Sequence, residues 1–339
     1  MDSAQKDGGR LVVLDGMRGV AAFVVVLHHA LAAWPGPFDA GYLAVDFFFI
    51  LSGYVMAAAY DDRFRAGLSF GSFWRARLRR LLPTMWVGAL LAAIAAVKVD
   101  HAGLVVGPEL LAALLFIPTA FKADAIFPLN GVQWSLLFEL IANALHASIL
   151  WRLRTRFIGA IAGVSLIVMA IGCWTHGSLD TGYTLPTLYL GLARVGFGYC
   201  AGLLLYEWRD RLTLPSLPAI LPLSSFVLLV AAISATDGWW AEIFGVLLMP
   251  VLIMLGARAI TRATGLCRYL GRVSYPVYAI HLPILVFVGW MPFGWRIFAL
   301  VTLTLAASTA VDLALGQSRK RKRSSSGFVP GLFLQAASR

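Results

Sequence analysis

Apolar runs of membrane-crossing length recur ten times along this chain, and few folds accept such a pattern. A helix needs about 20 apolar residues to cross a hydrocarbon core of about 30 Å. The runs cover residues 11–34, 41–60, 82–97, 134–151, 157–174, 187–206, 217–233, 240–256, 273–290 and 295–315. Backbone in lipid must satisfy its own hydrogen bonds, so successive runs of this length predict helices. The expectation is an all-α, polytopic integral membrane protein of about ten transmembrane helices. An eleventh run, residues 110–121, is shorter and carries Pro118. It suits a re-entrant or interfacial segment.

Charge gives the chain a direction. The 28 Lys and Arg against 17 Asp and Glu leave a net +11, which in a soluble protein would point to nucleic acid. With 60% hydrophobic residues and 13% charged, the basic excess instead belongs to cytoplasmic loops. When the N-terminus is placed inside and the short run turns back, 23 of the 28 basic residues face the cytoplasm. Lys98, Lys122 and Arg296 fall outside, and Arg18 and Arg194 stay within spans. Were the short run to span, every later basic loop would be inverted. Ten spans with both termini cytoplasmic are therefore expected, with no nucleic-acid partner. Residues 1–316 form the membrane domain and residues 317–339 a basic cytoplasmic tail, whose RKRKR run acts as a topology anchor. The segment after Arg323 has no reading from sequence.

Two simpler interpretations fail. Lys6 and Arg10 ahead of an apolar run resemble a signal peptide, but Asp15, Arg18, His28 and His29 do not suit its apolar region. Cys173, Cys200 and Cys267 lie far apart, without metal or disulfide spacing, and read as apolar filler. No metal is expected. Phosphate-loop and Gly-x-Ser-x-Gly patterns are missing too.

The ionisable residues inside the spans are the informative ones, because each is costly in hydrocarbon. Arg18 and His29 are eleven positions apart, within about 20° of one helix face and roughly 16 Å apart in depth. Asp15 stands one turn before Arg18, at a spacing that allows it to pair with the guanidinium. Asp46 opens the next span. Ser135, Glu139, Asn143 and His146 form one polar stripe at helical spacing, suited to a wet cavity. Ser274, Tyr278 and His281 share another face. Arg194 has no acid nearby in sequence and either pairs across helices or faces the same cavity. Arg77 and Arg80 cluster before a span, where topology alone explains them, yet they also suit the phosphates of a nucleotide-bearing donor. On the ten-span arrangement His29, Asp46 and Glu139 lie toward the outer side, while Arg18, Arg77 and Arg80 lie toward the cytoplasm. The polar residues then trace a path across the bilayer.

Several of these stretches resemble the membrane-bound acyltransferase family 3, the O-acetylase-like integral membrane enzymes. LDGMRGVAAFVVVLHH carries the family's Arg and His at Arg18 and His29, and FFILSG is similar to its Phe-Phe-x-Leu-Ser-Gly segment. Arg77, Arg80 and Pro83 match its R-x-x-R-x-x-P pattern. WSLLFE, ending at Glu139, matches W-S-x-x-x-E, and SYPVYAIH, ending at His281, matches S-Y-x-x-Y-x-x-H. The resemblance implies transfer of an acyl group, acetyl from acetyl-CoA, onto a sugar hydroxyl of a lipid-linked or surface glycan. His29 would be general base or acyl carrier, oriented by Asp46 or Glu139. Arg18, Arg77 and Arg80 would hold the donor's phosphates. The remaining polar residues, Ser274, Tyr278, His281, Asn143, His146 and Arg194, would line the cavity. The same polar path would also suit a transporter or flippase for an anionic solute, although the two related halves common in such carriers are not evident.

Overall fold

The computed structural model describes residues 11–34, 36–99, 106–119, 125–212 and 214–325. Lys6, Arg10, Lys122, the end of the 110–121 run and the segment after Ser325 lie outside the described residues. Eleven α-helices follow in order: α1 Val12–Leu31, α2 Ala44–Arg65, α3 Phe70–Lys98, α4 Val106–Leu115, α5 Gln133–Ser148, α6 Thr155–His176, α7 Leu188–Trp208, α8 Ile220–Ser234, α9 Trp239–Arg258, α10 Thr264–Val288 and α11 Phe293–Ser325. A 3-10 turn, Asp39–Leu43, leads into α2.

Eight of these helices are long and apolar enough to cross a membrane. The other two predicted spans, α5 and α8, are 16 and 15 residues long. At 1.5 Å per residue these give only about 24 and 22 Å. The short run yields the 10-residue α4, which is too short to cross. It ends at Leu115, just before Phe116, whose φ is +56°, and Trp86 of α3 donates from Nε1 to the Leu114 carbonyl at 3.1 Å. Helix α11 runs 33 residues to Ser325, so it passes residue 316 without a break.

Burial separates core helices from lipid-facing ones. Two-thirds of the apolar windows of α1, α2 and α10 are buried, against 28% for α6 and 17% for α11. The tightest pairings are α1 with α10 and α2 with α7. Both depend on glycine: a Cβ on Gly19 of α1 would lie 2.5 Å from the Leu270 side chain of α10, and one on Gly53 of α2 would collide with the Tyr199 carbonyl of α7. Small residues at such crossings let backbones meet without lipid between them. The two ends of the bundle differ. Arg258 at the foot of α9 donates to the Arg209 and Leu214 carbonyls below α7, and Arg272 meets Asp312 at 3.2 Å. The opposite end exposes Trp34, Trp174, Trp240, Trp290 and Trp295, the aromatic belt of a membrane interface.

Candidate active site

A cavity of about 420 Å³ opens among the core helices. Its polar lining comes from five of them: Arg18 of α1, Ser52 of α2, Arg77 and Arg80 of α3, Ser135 and Glu139 of α5, and Arg272, Ser274 and Tyr278 of α10. Asp312 of α11 lies at its rim.

Arg18 is held on three sides. Its Nη2 donates to Asp15 Oδ1 at 2.6 Å and to the Gly271 carbonyl at 2.9 Å, and its Nε donates to Ser274 Oγ at 3.1 Å. The Asp15 pairing is the one that the i, i+3 spacing predicts. Gly271 allows the close approach, since a Cβ there would lie 2.5 Å from the Asp15 side chain. Glu139 gathers three of the sequence motifs at one oxygen. Arg77 Nη2 donates to Glu139 Oε1 at 2.9 Å, and Ser52 Oγ donates to the same atom at 3.1 Å. Arg80 lines this cavity and, together with Arg18, a neighbouring recess of about 430 Å³ against α1.

At its other end the cavity stops at Ser135 and Tyr278, whose hydroxyls are 2.7 Å apart. The edge of Phe48 packs on the Tyr278 ring, with centroids 5.7 Å apart. His281 lies behind Tyr278 at 6.1 Å, and His29 behind His281 at 5.0 Å, ring centre to ring centre. His281 is fully buried whereas His29 is half-buried. The nitrogens His281 Nε2 and His29 Nδ1 are 3.2 Å apart.

The acids expected beside His29 are engaged elsewhere. Asp46 forms a bidentate pair with Arg194, Nε to Oδ1 at 3.0 Å and Nη2 to Oδ2 at 2.7 Å, with both side chains wholly buried. Arg194 also donates to the Thr181 and Tyr42 carbonyls and lies over the Trp134 ring. Its cross-helix alternative is therefore the one observed. Glu139 lies at the depth of Arg77, not toward the His29 end as expected. A carboxylate in a low-dielectric interior goes to the guanidinium that neutralises it, and an imidazole offers less.

The α5 stripe also divides. Ser135 and Glu139 line the cavity, but Asn143 and His146 turn into a buried network beyond it. His146 Nε2 lies 2.8 Å from Asp61 Oδ1 and its Nδ1 2.9 Å from Tyr199 Oη, which donates to Asn143 Oδ1. Asp61 and Tyr199 escaped the sequence reading, as did Arg272 and Asp312. Asp312 carries a usable signal, an acid within the last span; Arg272 was indistinguishable from its neighbours in a basic loop. Among the described residues, no three His, Cys, Asp or Glu side chains converge as metal ligands would.

Chemically, four guanidiniums at one end can engage an anion through paired N–H donors. Two imidazoles in contact at the other end can take and return a proton. A profile for an acyltransferase domain matches residues 11–313. The chain is 35% identical over 190 residues to protein 2 in the picA locus of Rhizobium radiobacter, covering 49% of this chain and 98% of that one. It is 26% identical over 266 residues to the exopolysaccharide production protein ExoZ of Rhizobium meliloti, covering 76% and 80% respectively. A Staphylococcus aureus protein named provisionally as an O-acetyltransferase is 27% identical over 207 residues, 53% of this chain and 33% of that one. No solved structure matches. With a match that takes in all eleven helices up to the last turns of α11, the chain belongs to the acyltransferase 3 family and is a multi-pass membrane acyltransferase.

Proposed function

We propose that this enzyme takes an acyl group, acetyl above all, from an acyl-CoA and places it on a sugar hydroxyl of a lipid-linked or surface glycan. The observation that carries the reading is the polarity of the cavity. Arginines from three helices stand at one end, and Tyr278 with the histidine pair behind it stands at the other. Arg18, Arg77, Arg80 and Arg272 suit the phosphates of the donor, and the apolar wall of Val45, Phe48, Phe49 and Leu51 suits its pantetheine arm and acyl chain. The glycan acceptor is favoured by the likeness to a protein named for exopolysaccharide production.

His29 is the general base in this scheme. The acceptor O–H gives its proton to His29 and its oxygen bonds to the acyl carbon. The C–S bond breaks, and the departing sulfur takes the proton back. The thioester reaches His29 past Tyr278, so the Ser135–Tyr278 hydrogen bond opens during turnover. With the basic end in the cytoplasm, the donor comes from inside a bacterial inner membrane and the acceptor meets the half-buried face of His29 from outside.

The test uses purified full-length protein in lipid nanodiscs, with labelled acetyl-CoA and a deacetylated surface-glycan preparation. Labelled glycan should accumulate in step with free thiol. No thiol release, together with glycan movement across reconstituted vesicles, would overturn the reading and leave a solute carrier in its place.

A further inference from the structure

The histidine pair has a proton arrangement that its surroundings dictate. His281 Nδ1 lies 2.9 Å from the Tyr278 carbonyl and 3.2 Å from the Val277 carbonyl. A carbonyl oxygen offers only lone pairs, so Nδ1 of His281 carries the proton. Two touching imidazoles, one fully buried and the other half-buried, with no carboxylate among the described residues against either ring, do not stay charged. His281 Nε2 is then a bare lone pair, and it lies 3.2 Å from His29 Nδ1. The proton in that contact must belong to His29. Val25, whose carbonyl is 3.0 Å from the same nitrogen, makes the same demand. One arrangement satisfies all four contacts: His29 protonated at Nδ1 and open at Nε2.

We propose that His281 is the positioning residue of His29, a neutral imidazole in the place where acid–base sites commonly put a carboxylate. It fixes the tautomer that leaves Nε2 of His29 free to accept the acceptor's proton. It then receives the strengthened N–H bond of the imidazolium while that proton is held, before the proton passes from Nε2 to the departing thiolate sulfur. A carboxylate would make the resting site negative and the loaded site neutral. The imidazole makes it neutral and then positive, which favours the negative charge gathering on the thioester oxygen and sulfur. The inference rests on His29 being the base, and it accounts for Asp46 and Glu139 being engaged elsewhere.

Two substitutions and one spectrum test it. His281→Gln keeps an oxygen near the Nε2 position as an acceptor, whereas His281→Leu keeps bulk and removes the acceptor. In the acetyl-CoA and surface-glycan assay, kcat should fall roughly 10–100-fold in His281→Leu, part of the general-base factor. His281→Gln should recover most of that loss, and the KM for acetyl-CoA should hold in both. The spectrum needs neither donor nor acceptor. In protein labelled with 15N-histidine, the His29 signals, identified by their loss in His29→Gln, should show a protonated Nδ1 and a bare Nε2. A proton on Nε2 in the wild-type spectrum overturns the proposal even where the enzyme is active. Equal kcat in the Leu and Gln variants overturns it as well. A correct tautomer in a protein that transfers no acyl group would fault the proposed reaction and not the pair.

Discussion

His29 and its sequence neighbour offer the sharpest comparison between single residues. His28 turns its Nδ1 to the Phe38 carbonyl at 3.1 Å and its ring to Tyr42, in the turn ahead of α2. His29→Ala removes the base and should lower kcat by about 10²–10⁴, while His28→Ala loses the turn contact and an edge contact with the His29 ring at 5.0 Å, not the base, and should lose far less. Equal losses in two correctly inserted variants, measured by thiol release, would remove His29 from its role. Contacts between residues were legible where they were local. Asp15 and Arg18 could be paired from sequence because one helical turn separates them. Arg194 and Asp46 could not, because they are 148 positions apart and only the packing of α7 on α2 brings them together. The assignment of Asp46 to His29 followed from depth alone, and depth does not reveal which neighbour a carboxylate meets.

Among the helices, α3 contributes most to the proposed donor end. Arg77 is nearly buried and holds Glu139, so its loss strands a carboxylate as well as removing a phosphate donor. Arg80 lines both the cavity and the adjoining recess and therefore gives the cleaner measurement. A charged hydrogen bond to phosphate is worth about 1.5–3 kcal/mol. Arg80→Gln should therefore raise the KM for acetyl-CoA about tenfold or more and leave kcat largely intact. An unchanged KM would reduce Arg80 to a topology anchor. Helix-scale reading from sequence did well on faces and poorly on ends. The polar stripe of α5 was visible from its 3.6-residue period, yet the change from cavity to buried network after Glu139 was not. That change is made by Tyr199 on α7 and Asp61 on α2, two helices that local periodicity cannot place beside α5.

Across the whole molecule, the place and order of the apolar helices were readable because hydropathy is a property of each stretch by itself. The short lengths of α5 and α8 were less so, since coil and turn at their ends are nearly as apolar as the helices. Topology is the measurement to make at this scale. A reporter joined after Arg323 should report cytoplasm and one inserted at Ala123 the outer side, as the basic and tryptophan-rich ends of the bundle suggest. Cytoplasmic signal at Ala123 would invert every later loop. The buried Asp46–Arg194 pair has a consequence in time as well as space. Helix α2 leaves the ribosome with an aspartate whose cation is 148 residues away. At about 5–20 residues per second, that residue waits roughly 7–30 s for its partner. A lone carboxylate is poorly tolerated in hydrocarbon for that long, so the nascent first helices must be kept beside protein or water until α7 arrives.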